Sequence, residues 1–379
     1  MPGCPAADPA PPELRWRRAE DDPDPAQGAL FDGDELAGHH VGTGEFRGME
    51  FLHVNARTVI NEVPAASRMP FRFTINAYRG CSHACAYCFA RPTHTYLGLG
   101  VGEDFDRRIV VKVNAVERVR AELAARRWAG HHIAMGTNTD PYQRCEGKYH
   151  LTQGIVGALA EAANPFSILT KSTLVLRDIE LLAAAAIRTS VRADLSIGTL
   201  DEAVWRLTEP GTPHPLRRVE AVRRLNRAGV PCGVLVAPVL PGLSDGEREL
   251  RAVVEAVVEA GAVSVSAISL HLRAGVREHW MAMLRQARPD LVPRYEDAYQ
   301  RAYLPQADQR DLAARVGRMV AEARRRHQPL GRSPFSYPRD MRRVGRSSPA
   351  AGPGRPEGGL GEAPRRGGGP AAHQLALDL

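Results

Sequence analysis

Cys81, Cys85 and Cys88 fall within one short run, GCSHACAYCFARPTH, whose C-x3-C-x2-C spacing supplies three thiolates from a single loop. A cube of four irons takes four thiolates, so three leave one iron open to a ligand that is not protein. That open position is where chemistry can be done. His83, between the first two cysteines, offers another solution, in which three sulfurs and an imidazole close a tetrahedral zinc site. Structural zinc sites more often pair cysteines as C-x2-C and separate the pairs. Three unligated thiols in a polar loop, straight after the strand-like FRFTINAY, suit ligands better than core filling. Disulfides fit poorly. Six cysteines in 379 residues, with no secretory leader and no long apolar stretch, point to a reducing cytoplasm and no membrane span.

The loop has to be held by something, and the sequence between residues 46 and 290 alternates strand-like runs with helical patterns, as parallel strands with crossover helices do. Strands are expected at Phe71–Tyr78, His132–Thr137, Phe166–Thr170, Ala193–Gly198, Gly233–Pro238 and Val263–His271. Helices are expected near 114–128, 152–163, 176–188, 213–228, 245–260 and 276–287, with Thr152, Ser244 and Asp245 as caps and Gly130, Gly229 and Gly261 as stops. The first 45 residues, rich in Pro, Asp and Gly, read as a disordered N-terminal arm.

In a barrel of parallel strands chemistry gathers at the C-terminal strand ends. The second strand ends in Thr137, Asn138, Thr139 and Asp140, polar groups that need partners, although an Asx turn led by Asp140 and Pro141 would also use them. The third ends at Lys171, which is notable because arginine is the default cation of this chain and lysine occurs only at 112, 148 and 171. Its alternative is an ion pair to Asp178 or Asp140. The fourth offers Ser196 and Thr199, followed by a turn at Glu209 and by Arg218, both of which could be purely structural. His94 reads equally as a loop histidine or a substrate contact.

These segments together resemble the radical S-adenosylmethionine (SAM) family, and within it the branch related to spore photoproduct lyase. The resemblance runs from about Asn61 to Arg273 and rests on RGCSHACAYCFARPTH, GTNTDPYQ, LTKSTLVLRDIELL, LSIGTLDE with WRLTEPGTPHPLRR, and APVLPGLSD. It implies an α/β fold, a partial (β/α)6 barrel of TIM type, and a [4Fe-4S] cluster held by Cys81, Cys85 and Cys88. It also implies SAM contacts at Tyr87, Thr137, Asn138, Thr139, Asp140, Ser196 and Thr199, with Lys171 on the methionine carboxylate. Reductive cleavage of SAM would then generate a 5′-deoxyadenosyl radical, and a flavodoxin or ferredoxin would supply the electron. For a lyase that returns hydrogen to its product, Cys145 with Tyr142 is the expected donor pair, against the plainer reading of Cys145 as an inert core thiol.

The net charge of +7 invites a nucleic-acid partner, tempered by an arginine bias that runs through the whole chain. Residues 291–346 read as a basic extension. From Arg324 to Arg346 eight arginines face one acid, Asp340, with Phe335 and Tyr337 interleaved, which suits phosphates and stacked bases or simply a solvated tail. Residues 347–379 read as a flexible Gly/Pro linker. Gln374–Leu379 resembles one form of sliding-clamp binding peptide, and Gln27–Phe31 resembles another. The sequence therefore supports a radical SAM enzyme acting on nucleic acid, plausibly in lyase-type repair of damaged pyrimidines. Its alternatives are modification of a peptide, tRNA or small molecule, and an iron–sulfur redox protein without turnover.

Overall fold

The expected alternation of strand and helix is present in the computed structural model, which describes residues 37–64, 67 and 69–327. The two clamp-like peptides, Cys4, Phe335, Tyr337 and the Gly/Pro linker lie outside the described residues. The strands are β1 (Gly38–Val41), β2 (Glu50–Val54), β3 (Ile60–Glu62), β4 (Phe73–Ile75), β5 (Tyr78–Arg79), β6 (Arg108–Lys112), β7 (Ile133–Met135), β8 (Phe166–Thr170), β9 (Val191–Ser196), β10 (Val234–Val239) and β11 (Val265–Ser269).

They form two sheets. The larger has the order β11-β10-β9-β8-β7-β4-β3, parallel throughout except for the antiparallel edge pair β3–β4. Its six parallel strands are the six expected ones, joined by helices, which is the partial (β/α)6 barrel. The smaller sheet, β1-β2-β6-β5, was not foreseen, and it places β1 inside the stretch expected to be a disordered arm. Its pairing is non-local: β2 lies beside β6, more than fifty residues along the chain, and such pairings leave little signal in a local pattern. Only Asn76 and Ala77 separate β4 from β5, so the chain crosses from the large sheet to the small one immediately before the cysteine loop.

Burial follows the expected periods. Along β8, Phe166, Ile168 and Thr170 are buried and the residues between them are not, the period of two that puts one face on the core. On helix Glu247–Glu259 the buried set is Leu250, Val253, Val254, Val257 and Val258, a single helical stripe, each side chain worth about 1.5–3 kcal/mol in removal from water. The helix Gln306–His327 buries Leu312, Val316, Met319 and Val320 against that helix and β11. Its last turn is tied down by Arg324 on Val263 O at 3.0 Å and His327 on Glu255 at 3.0 Å. The start of the basic stretch therefore serves the fold's own packing. Among the described residues no helix is long and apolar enough to cross a membrane.

His132, which leads into β7, is 4% exposed, and neither ring nitrogen has a partner among the described residues. Burial pushes its pKa down from 6.5 to about 4. The unfolded chain therefore takes up this proton first as pH falls. The stability that a neutral His132 preserves is complete above pH 6.5 and is lost between there and about 4. Replacing His132 with Leu should remove about 2–3 kcal/mol of the stability difference between pH 7 and pH 4.5, read from denaturant midpoints. Equal pH dependence in both proteins would acquit this residue.

Candidate active site

Gly80 turns the chain out of β5 into the cysteine loop with φ +79°, a left-handed conformation that favours glycine. A Cβ there would lie 2.9 Å from both His94 Cε1 and Phe105 O. The loop is then anchored from four directions. Cys81 N donates to Phe105 O at 2.9 Å and Ser82 N to Gln143 Oε1 at 2.9 Å. Ala86 N donates to Thr208 O at 3.0 Å, and Gly211 N reaches back to His83 O at 3.0 Å. A Cβ on Gly211 would sit 2.2 Å from Ser82 O, so the Glu209–Thr212 turn packs against the loop with no room for a side chain. Arg91, wholly buried, donates to Cys85 O at 3.0 Å, to Val101 O at 2.9 Å and to Asp106 at 2.8 Å.

Cys81 and Cys85 are 7% and 6% exposed and Cys88 is more open, with none of the three in a disulfide. Burial pushes all three thiols up, so a thiolate here is stable only against a strong positive charge such as iron. Among the described residues no three His, Cys, Asp or Glu side chains converge as ligands of a single ion. A tetrahedral zinc needs such convergence, whereas a cube takes each thiolate on a different iron. His83 is paired through one ring nitrogen. Its Nδ1 lies 3.3 Å from Asp140 Oδ2, both side chains being nearly buried. The donor set thus fits a cluster better than a single zinc.

Asp140 acts as a bracket between strand ends. Tyr142 N at 2.9 Å and the Thr170 hydroxyl at 2.6 Å donate to one oxygen, and Lys171 N at 2.7 Å donates to the other. Burial alone would raise this carboxyl, but His83 and these donors hold it below the usual carboxylate range. Thr139 is also committed to the loop, its hydroxyl donating to Gly80 O at 2.6 Å beside Gln143 at 3.0 Å from the same oxygen. Thr199 accepts from Asp201 N at 3.0 Å in a turn that caps the next helix. These three side chains therefore position backbone in this structure. Thr137 and Asn138 remain half-buried at the mouth, tied to Asn76, which donates to Thr137 Oγ1 at 3.3 Å and accepts from Asn138 N at 3.2 Å. Asn76, at the end of β4, was missed by sequence reasoning because a lone asparagine after a strand reads as an ordinary turn residue.

Lys171 reaches across two strands. Its Nζ donates to Ser196 Oγ at 2.6 Å and Ala237 O at 3.2 Å, and lies 5.5 Å from the Tyr87 ring centroid. Its acidic partner is Glu209, at 3.4 Å, and neither Asp178 nor Asp140, the two expected alternatives. Glu209 also accepts from the Tyr87 hydroxyl and from Arg218 Nη2 at 2.5 Å. Burial alone would raise its pKa, yet Arg218 and then Lys171 pull it down to about 2. Tyr87, between two of the cysteines, is in this way wired to the fourth and fifth barrel units. Its ring also meets Trp280 at 6.2 Å between centroids.

The expected donor pair lies elsewhere. Tyr142 and Cys145 are both fully buried in the main apolar core, and the Tyr142 hydroxyl donates to Asp178 at 3.0 Å. Burial pushes both groups up, and neither side chain reaches the surface of the mouth. Cys145 thus takes the core role its plainer reading gave it. His94 lies in the 3-10 helix Arg91–Leu97, wholly buried, with Nε2 2.9 Å from Arg108 O.

The sequence profile of the Radical SAM superfamily matches residues 75–287. An uncharacterized protein of Mycobacterium tuberculosis is 45% identical over 281 residues, covering 74% of this chain and 83% of that one. A Radical SAM Nalpha-GlyT isomerase of Pseudomonas phage M6 is 28% identical over 166 residues, 43% of this chain and 32% of the phage protein. Among solved structures, spore photoproduct lyase complexed with dinucleoside spore photoproduct superposes with a TM-score of 0.53 at 18% identity, covering 74% of this chain and 80% of that one. At that identity the likeness is one of fold.

Proposed function

This chain belongs to the radical SAM superfamily, whose members use a [4Fe-4S] cluster and SAM, and within it we propose an enzyme acting on a base of nucleic acid, in lyase-type repair of damaged pyrimidines. The cluster would be held by Cys81, Cys85 and Cys88. When bound, cluster and SAM supply one-electron cleavage of a sulfonium carbon–sulfur bond and thereby a hydrogen-abstracting radical. The chain's own part is positional. Lys171, the cation at the mouth, would hold the SAM carboxylate, with Thr137, Asn138, Ser196 and Tyr87 around it, and a flavodoxin- or ferredoxin-type reductant would supply the electron.

The observation that carries the reading is this cation beside a buried three-thiol loop, at strand ends where an electron carrier has no use for polar side chains. The nucleic-acid substrate is supported by the fold of the lyase that binds a dinucleoside photoproduct and by the basic chain. One observation favours a second outcome on the same substrate class. Among the described residues the cysteines outside the triad, Cys145 and Cys232, are fully buried in the core, so a reaction that keeps the abstracted hydrogen in its product, an isomerisation, needs no mouth thiol.

Anaerobic incubation of reconstituted protein with SAM, dithionite and ultraviolet-treated DNA tests the repair reading. Loss of dimer with 5′-deoxyadenosine formation supports repair. SAM cleavage with every nucleic-acid product unchanged would move the substrate to tRNA, peptide or a small molecule. Lys171→Met should weaken SAM binding by roughly 10–100-fold while leaving iron content unchanged, since a charge-assisted contact is worth about 1.5–3 kcal/mol. Unaltered SAM affinity in equilibrium binding would remove Lys171 from that role.

A further inference from the structure

Helix Pro215–Arg227 carries five arginines, Arg217, Arg218, Arg223, Arg224 and Arg227, against one acid, Glu220. Its buried residues, among them Arg218, Ala221, Val222 and Leu225, lie on one arc of the helix, and the other four arginines lie on the opposite arc with Glu220. Glu220 is taken by Arg223. Arg217, Arg224 and Arg227 are exposed, and none of them has an ion pair or side-chain hydrogen bond among the described residues. Seven residues return the chain to nearly the same side, so Arg224 stands almost above Arg217, and the three cations span about 15 Å of helix.

Arginine is the default cation of this chain, but on other helices exposed arginines meet acids: Arg107 meets Glu103, Arg120 meets Glu161, Arg206 meets Glu202 and Arg285 meets Glu296. Helix electrostatics does not explain the exception. Arg224 and Arg227, in the last turn, complement the negative end of the helix dipole, whereas Arg217, in the first turn, sits unpaired at the positive end, where a cation is unfavourable. That end is also the one at the mouth. The Glu209–Thr212 turn before it packs on the cysteine loop, Pro213 O accepts from Arg218 Nε at 2.9 Å, and the same arginine runs inward to Ser196 O and Glu209. Arg217 therefore stands at the rim, and Arg224 and Arg227 lead away from it along the barrel wall.

We propose that Arg217, Arg224 and Arg227 form a track for the phosphate backbone of a nucleic acid whose reacting base is held at the mouth. The inference rests on the function proposed above and adds the surface that brings the substrate to the site. Planar forks spaced along one face suit successive phosphates, each of which can accept two parallel hydrogen bonds. The basic stretch near the C-terminus is a poorer candidate where it is described, since Arg324 and Arg326 are spent on Val263 O and Glu255.

The test titrates a labelled DNA duplex with the full-length, cluster-loaded protein over a range of salt. Replacing all three arginines, Arg217→Gln with Arg224→Gln and Arg227→Gln, should weaken binding roughly tenfold or more and lower the slope of log affinity against log salt by about 2.7, the share of three phosphates. Arg217→Lys with Arg224→Lys and Arg227→Lys keeps the charge and should keep the slope, which separates lost contacts from a lost fold. The charge-matched control is Arg72→Gln with Arg120→Gln and Arg310→Gln, exposed arginines each held by a neighbouring side chain, and it should leave both quantities at wild-type values. Equal losses in the control and the track variant, or no loss in the track variant while the wild type binds, overturn the track and leave the nucleic-acid reading standing. A wild type that binds no DNA overturns both.

Discussion

Cys85→Ala is expected to bring iron content and visible absorption down sharply and to reduce SAM cleavage to background, with far-ultraviolet circular dichroism unchanged. The loop survives because its backbone is fixed independently of the sulfur. Cys85 O accepts from Arg91, and Ala86 N and Cys81 N are anchored on Thr208 and Phe105. Removing one sulfur atom from a site 6% exposed creates a small cavity, worth about 1 kcal/mol. The ligand, by contrast, has no substitute. The other free cysteines among the described residues, Cys145 and Cys232, are sealed in the core. Cys145→Ala is the matched control, expected to leave iron and spectrum at wild-type values. Iron retained in Cys85→Ala, or zinc at one equivalent in anaerobically purified protein, would falsify the cluster assignment.

Glu209→Ala is expected to be the most destabilising single substitution around the mouth, by about 3–5 kcal/mol, because it strands two cations. Arg218 is wholly buried and donates to Glu209 at 2.5 Å, Thr212 at 2.7 Å and Ser196 O at 3.1 Å. Lys171 is 3.4 Å from the same carboxylate. Without it, two positive charges face one another in a desolvated pocket, and the Tyr87 hydroxyl loses its acceptor. The double variant Glu209→Ala with Arg218→Met should recover a substantial part of the loss, since it removes a buried charge along with its partner. Chemical denaturation measures both. Strictly additive effects would show that Glu209 and Arg218 are uncoupled, and the ion pair between them would have no energetic content.

In the sequence Glu209 reads as part of a turn that could be purely structural, and Lys171 as a cation with Asp140 or Asp178 as its alternative partners. Both aspartates turned out to be occupied, Asp140 by backbone donors and His83, Asp178 by Tyr142, Gln153 and Arg177. Which acid meets which base across a barrel mouth depends on the tilt and register of strands far apart in the chain, and one-residue spacing rules do not carry that information. The same holds for Tyr142 and Cys145. Their closeness in sequence to a strand end suggests a place at the mouth, and the turns between Asp140 and the helix Glu146–Tyr149 carry both into the core instead.

The sequence by itself determined the chemistry on offer and the architecture that presents it. Three cysteines at fixed spacing define a loop lacking one ligand, and six strand-and-helix repeats define a partial barrel, because spacing and periodicity are local properties that burial and ligand geometry read directly. Only the tertiary structure decided which polar side chains stay at the mouth and which are spent on scaffolding. Asp140, Thr139 and Thr199 fix backbone, while Lys171, Glu209, Arg218 and Tyr87 assemble from four separate segments into one charged network. Partnership among buried polar groups is settled by distance in three dimensions, where the cost of leaving any one of them unpaired selects a single arrangement.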